Sequence, residues 1–248
     1  MPDEPQAPQH VSNGSTDIYP TLTITPPTHP NRFFAFPVLG ILVKSILLIP
    51  VGVWLGFVTI AVMILQLINP FIILLTGKYW STAASLSVGM MRLWARYVAY
   101  LYGFSDRYPW YSRQNVEWCA VEMATPTNPN HLFAIPLFGF LARSVLLIPF
   151  YVFTSVVSSG VGVTVYLVCW APVLFTGRYP ESVFEFGRNI IRLNLSLWAY
   201  LTGLSDKYPN FSIDLSSHKN KKIAIIVVGI LFEVIYLLGN VRSLLTEP

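Results

Sequence analysis

Apolar and polar positions divide the chain into two long uncharged runs, each followed by a segment of mixed character, and one shorter apolar stretch near the C-terminus. Residues 45–76 and 144–176 contain no Asp, Glu, Lys or Arg. Each run exceeds the roughly 20 residues that a helix needs to cross about 30 Å of hydrocarbon. Both are interrupted by proline, at Pro50 and Pro70 in the first and at Pro149 and Pro172 in the second. A proline inside a helix removes a backbone hydrogen bond and clashes with the preceding turn, and in lipid the released carbonyl needs a new partner. Two geometries meet that demand: one kinked spanning helix, or a helical hairpin that enters and leaves on the same side.

The mixed segments, residues 81–104 and 181–204, have helical period. Glu181, Glu185, Arg188 and Arg192 stand at steps of four, three and four, which is one helical face. Arg92 and Arg96 form the matching pair in the first segment, beside Trp94, Tyr97 and Tyr100. Helices with basic and aromatic residues commonly lie in the membrane interface. A second spanning helix would cost a few kcal/mol per buried arginine, so the interfacial placement is the expectation.

Residues 223–238 are apolar and just long enough to span. Lys219, Lys221 and Lys222 precede them and Arg242 follows, which places their N-terminal side in the cytoplasm. Glu233 is an intramembrane acid, so it must be protonated, paired or close to an interface. Bonding to a partner or snorkelling is the plain explanation, and ion coupling the sharper one. Alternation of Thr with Leu and Ile over residues 21–25 has the period of a short strand closed by Pro26 and Pro27. Residues 116–121 are candidates to pair with the equivalent approach at residues 121–126 or with residues 21–25, giving a small sheet outside the membrane.

The chain states its pattern twice. Asn31-Arg32, Pro37, Gly40, Lys44 and Leu47-Leu48-Ile49-Pro50 return as Asn130-His131, Pro136, Gly139, Arg143 and Leu146-Leu147-Ile148-Pro149. Thr76-Gly77-Lys78-Tyr79 returns as Thr176-Gly177-Arg178-Tyr179, and the Gly-x-Ser-Asp-x-Tyr-Pro that starts at Gly103 returns at Gly203. A duplicated unit of this size is a supersecondary module that buries its apolar face against its copy. The division is a polar, disordered tail (1–20), a first membrane repeat (21–113), a second (114–215) and a C-terminal transmembrane helix (219–242). The fold class is mainly α, with a small β element.

Composition adds that 54% of the 248 residues are hydrophobic and 11% charged, against about 25% charged in ordinary soluble domains. The net charge of +4 suits an anionic leaflet and is too small, without a basic cluster, to argue for nucleic acid. Basic residues follow both runs, and basic connecting segments prefer the cytoplasm. An even number of crossings per repeat satisfies this twice, so charge parity predicts copies of the same orientation.

Few motifs point to chemistry. Thr-Gly-Lys/Arg-Tyr lacks the second glycine and the preceding strand of a phosphate loop. It reads instead as a helix stop at Gly77 and Gly177, with Lys78, Arg178 and the tyrosines anchored at headgroup level. Asp106 and Asp206 read as turn formers balanced by Arg107 and Lys207. Cys119 and Cys169 read as free thiols, and the four histidines show no metal-ligand spacing. No nucleophile has a base at motif spacing, so the expectation is no enzyme, no cofactor and no metal.

Asn-Arg, Leu-Ile-Pro, Thr-Gly-Lys-Tyr, Arg-x-x-x-Arg and Leu-Ser-Asp-Lys-Tyr-Pro, in this order and twice over residues 21–211, resemble the domain of unknown function 4389 family of bacterial membrane proteins. The resemblance implies a multi-pass protein of the bacterial inner membrane and no assigned activity. The copies differ, since Asn194 and Ser196 stand where the first has Trp94 and Arg96. The functional expectation is a structural or interaction module that organises anionic lipid, a membrane-protein partner or a second copy. Lys44, Arg143, Lys78, Arg178, Arg92, Arg96, Arg188 and Arg192 are its candidate contacts. The alternative is a small transporter or lipid-handling protein, with the broken helices marking a site at the repeat interface and Lys44 and Arg143 drawing an anion to it.

Overall fold

The computed structural model describes residues 19–27, 30–36, 39–125, 135–136, 138–213 and 218–246. Of the tail expected at residues 1–20, residues 1–18 lie outside them. The first uncharged run forms one helix, α1 (Leu39–Thr76), with Pro50 and Pro70 inside it. The second run is cut into three helices that follow β2, described below: α3 (Phe138–Leu146), α4 (Ile148–Leu167) and α5 (Trp170–Thr176). Pro149 sits in the first turn of α4, where a missing N–H leaves no bond unmade. Neither run folds into a hairpin by itself.

Each run turns at its glycine. Gly77 and Gly177 take φ of 68° and 64°, the left-handed conformation expected of a helix stop. The chain then returns as α2 (Ser81–Leu101) in the first copy and α6 (Glu181–Leu201) in the second. Gln66 donates to Ser87 Oγ at 3.2 Å near the turn, and Tyr97 packs against Gly52 further along, so α1 and α2 are antiparallel. In the second copy Asn194 donates to Ser158 Oγ at 3.2 Å and Arg143 to the Tyr200 carbonyl at 2.8 Å, giving the same hairpin.

The two hairpins run in opposite directions. Phe104, just past the end of α2, packs on Phe184 with ring centroids 5.3 Å apart, and on Gly187, both early in α6. A Cβ on Gly187 would stand 2.2 Å from the Phe104 ring, so only glycine admits this contact. The hairpins are thus antiparallel to each other, the open end of one beside the turn of the other.

α7 (Lys219–Thr246) packs antiparallel on α4. At their crossing a Cβ on Gly229 would lie 2.2 Å from the Val156 carbonyl oxygen, so the backbones meet directly, as small residues allow in membrane helix pairs. The short sheet is present: β1 (Thr21–Ile24) pairs antiparallel with β2 (Cys119–Glu122), Thr21 opposite Glu122 and Ile24 opposite Cys119.

These elements form layers around the α2–α6 pair. Arg92 Nε donates to the Val121 carbonyl at 3.0 Å, Arg96 to the Ser112 carbonyl, and Arg113 lies against Gly89. Positions 89, 92 and 96 thus face the sheet and the linker. Trp94, Val98 and Tyr102 line a cavity with α4 residues on the opposite face, and Tyr102 donates to the Ser158 carbonyl at 3.3 Å. Ala83, Ala84, Met90, Met91, Leu93, Ala95 and Ala99 are all buried. The free apolar stripe of an interfacial helix is not found on these two: α2 is covered on two sides, and α6 buries its apolar residues and leaves Glu181 and Arg192 exposed. Three helices, Leu39–Thr76, Ile148–Leu167 and Lys219–Asn240, are long and apolar enough to cross a membrane.

Candidate functional site

The chemistry-bearing residues lie where the open end of each hairpin meets the turn of the other copy. Lys44 and Arg143 point inward, each 6% exposed. Arg143 lies 5.4 Å from the Tyr200 ring, donates to the Tyr200 carbonyl and pairs with Asp206. Lys44 sits between Phe34 and Tyr100, 5.4 Å and 5.5 Å from their ring centroids, in the field of Asp106. Asp106 Oδ2 accepts the Asn31 backbone N–H at 2.6 Å. The aspartates were expected to close their own turns beside Arg107 and Lys207. The serines do that: Ser105 and Ser205 Oγ accept the N–H of Arg107 and Lys207 at 3.1 and 3.2 Å. Arg107 instead reaches Glu117 at 3.4 Å, and Lys207 lies 5.6 Å from the Tyr19 ring. The aspartates are the counter-charges of the buried Lys44 and Arg143, so those two cations serve the fold before any ligand.

The tyrosines of the helix stops likewise turn inward and not to headgroups. Tyr79 donates to the Thr202 carbonyl at 2.6 Å and accepts from Gln66 at 2.7 Å. Tyr179 donates to the Tyr102 carbonyl at 3.1 Å. Thr202 and Tyr102 are the C-caps of α6 and α2, whose last carbonyls lack a partner in their own helix. Each copy therefore satisfies the helix end of the other, and this requires the inverted arrangement. Burial pushes the Tyr79 hydroxyl up to about 12 and Tyr179 up as well, so both remain neutral donors. The repeated tyrosine is legible in the sequence and the reciprocal bond is not, since nothing local to Thr-Gly-Lys/Arg-Tyr names a partner 123 or 77 positions away.

Tyr108 and Tyr208 complete the symmetry by donating to the Leu47 and Leu146 carbonyls at 2.9 and 3.0 Å, three residues before Pro50 and Pro149. The repeated Tyr-Pro was a signal that could have flagged them. Between the copies a cavity of about 50 Å³ is lined by Lys44, Asp106, Tyr102, Tyr179, Phe34 and Trp170, among others. It has room for a few waters and no more.

The remaining sequence candidates are scattered. Lys78 and Arg178 are exposed at the two turns, and Arg192 is exposed on α6 with Arg188 half-buried. Arg92 is half-buried and Arg96 buried under the linker, so neither offers a free basic face. Glu233 accepts from Ser159 Oγ at 2.6 Å and Ser155 Oγ at 3.4 Å, the partner-bonded arrangement for an acid in an apolar helix. These serines line a second cavity of about 250 Å³ with Asn194, Tyr151 and Thr154. Cys119 and Cys169 are free and buried, and burial pushes the Cys119 thiol up to about 12, far from a reactive thiolate.

The model of a family described as a domain of unknown function (DUF4389) matches residues 39–113 and 139–212, one segment in each copy. Curated proteins and solved structures gave no match.

Proposed function

We propose, from the premise that this chain belongs to the DUF4389 family, that it is a non-enzymatic module of the bacterial inner membrane that organises anionic lipid or a membrane-protein partner. The observation that carries this reading is the sidedness of α1. Leu42, Ile46, Ile49, Val53, Phe57, Ile60, Ile64, Leu67, Phe71 and Leu74 are exposed in steps of three and four, while Lys44, Leu48, Val51, Val58, Val62, Gln66 and Asn69 on the other side are buried. So long an apolar stripe far exceeds what a soluble monomer leaves in water. Lys78 and Arg178 are exposed at the ends of α1 and α5, where the apolar run stops and headgroups would begin. Each contributes on the order of 1 kcal/mol near an anionic leaflet, roughly fivefold in affinity.

Purification from mixed phosphatidylglycerol and phosphatidylcholine vesicles tests this. The double variant Lys78→Gln, Arg178→Gln is expected to lower the phosphatidylglycerol that co-purifies and to leave phosphatidylcholine unchanged. Equal retention of both lipids by the wild type would remove the anionic-lipid reading.

A transporter is the second reading, favoured by one observation: inverted copies are an arrangement in which transport sites form at the repeat interface. Against it, Lys44 and Arg143 already have internal partners and the cavity beside Lys44 is small. Flux across proteoliposomes at background level would dispose of it.

A further inference from the structure

Resting on that membrane reading, we infer that the repeats do not cross the bilayer: the long helices lie along its surface, inserted from one side with α1, α4 and α7 toward hydrocarbon and the β1–β2 sheet toward water. Length is the first argument. α1 has 38 residues, about 57 Å at 1.5 Å per residue, and its exposed apolar stripe runs almost end to end. Fitting that stripe, about 48 Å from Leu42 to Leu74, into about 30 Å of hydrocarbon needs a tilt near 50°, beyond the 0–40° that spanning helices adopt.

The second argument is what stands on the other side of the molecule. Were the helices upright, lipid would surround the bundle and meet the face that carries the sheet and linker. That face presents Glu181, Arg192, Arg107, Glu117 and Arg113 exposed, with Arg188 half-exposed; Glu185 pairs instead with the buried Lys222 of α7 at 3.8 Å. Glu181 to Arg192 alone covers about 16 Å of helix, so several charges would sit at mid-depth, at a few kcal/mol each. The open strand backbones would also lack partners in hydrocarbon. Laid flat, the same body puts every one of these groups in water and every exposed residue of the α1 stripe in lipid. The depth required is that of an interfacial helix, about 5–10 Å for α1. α7, exposed and apolar around most of its circumference from Ile223 to Leu238, is the most deeply immersed element.

The two ends of α2 decide between the placements. They are separated by 21 residues, about 30 Å, so an upright α2 carries Ser81 and Arg107 to opposite faces of the membrane. Single-cysteine variants Ser81→Cys and Arg107→Cys of the full chain, made with Cys119→Ala and Cys169→Ala, would be labelled with an impermeant maleimide in right-side-out and in inverted membrane vesicles. Labelling of both sites in the same preparation, several-fold above the other, is the expected result. Labelling of one site in each preparation overturns the inference, as does protection of both in the two preparations until detergent is added. Carbonate washing of the same membranes separates this failure from the failure of the membrane reading itself. Protein that stays in the pellet with split labelling refutes only the flat placement, and protein released to the supernatant refutes both.

Discussion

Replacing Asp206 by Asn probes the central contact of the second copy. The Arg143 side chain shows 7% of its surface to solvent and Asp206 26%, and the two form a direct ion pair. Asp206→Asn removes the carboxylate paired with the buried Arg143 guanidinium, which also donates to the Tyr200 carbonyl and lies over its ring. Breaking a buried pair from one side costs roughly 3–5 kcal/mol, and the quarter exposure of the acid brings this to about 2–4. At about 2–4 °C per kcal/mol for a chain of this size, the melting temperature should fall by roughly 5–15 °C. Thermal unfolding in detergent, followed by circular dichroism, measures it. Asp106→Asn is the internal control. The introduced amide would keep an oxygen for the Asn31 N–H, and Lys44 meets Asp106 through space, so the cost should stay under about 1 kcal/mol. The double variant Arg143→Met, Asp206→Leu should recover most of the loss, because it removes both charges together. A loss under about 1 kcal/mol for Asp206→Asn, or a double variant worse than the single, would refute the assignment of Asp206 as counter-charge to a buried cation.

Tyr79→Phe removes a hydroxyl that donates to the Thr202 carbonyl and accepts from Gln66, leaving the end of α6 unsatisfied; a loss of about 1–3 kcal/mol is expected in chemical unfolding, and a change under about 0.5 would show that the bond between copies carries no stability. Alkaline pH should destabilise the fold. Cys119 and Tyr79 both have folded values raised to about 12 from 9.0 and 10.0, so the stability they contribute is present below about pH 9 and lost as pH rises toward 12. Unfolding midpoints should be flat from about pH 6 to 8.5 and fall above that, less steeply in Cys119→Ala; an unchanged slope in that variant would exclude Cys119 as a source.

Repeats, helix stops and membrane character were legible in the sequence because each is a local property. Uncharged runs are read by counting, Gly77 and Gly177 by the conformation only glycine adopts freely, and the strands by the alternation of Thr with Leu and Ile. The short sheet was legible for the same reason, since its first strand had period two and a candidate partner of strand-forming residues lay before the second copy. The candidate site was half legible: the sequence picked out Lys44, Arg143, Asp106, Asp206, Tyr79 and Tyr179 as repeated positions and gave each the wrong neighbour. It assigned the cations to lipid, the tyrosines to headgroups and the aspartates to their own turns, because sequence shows adjacency along the chain and these contacts are made across it.

What the sequence determined by itself is a duplicated, mainly α membrane module with a helical turn at each Thr-Gly-Lys/Arg-Tyr. Tertiary structure alone decided that the copies are inverted. A pattern of apolar runs is the same read in either direction, so direction is fixed only where side chains from distant parts of the chain must meet: Phe104 against Gly187, and Tyr79 and Tyr179 on the unsatisfied helix ends of the opposite copy. The burial of α2 and α6 follows from that packing, because a helix of moderate apolarity becomes core only when a neighbour covers its second face.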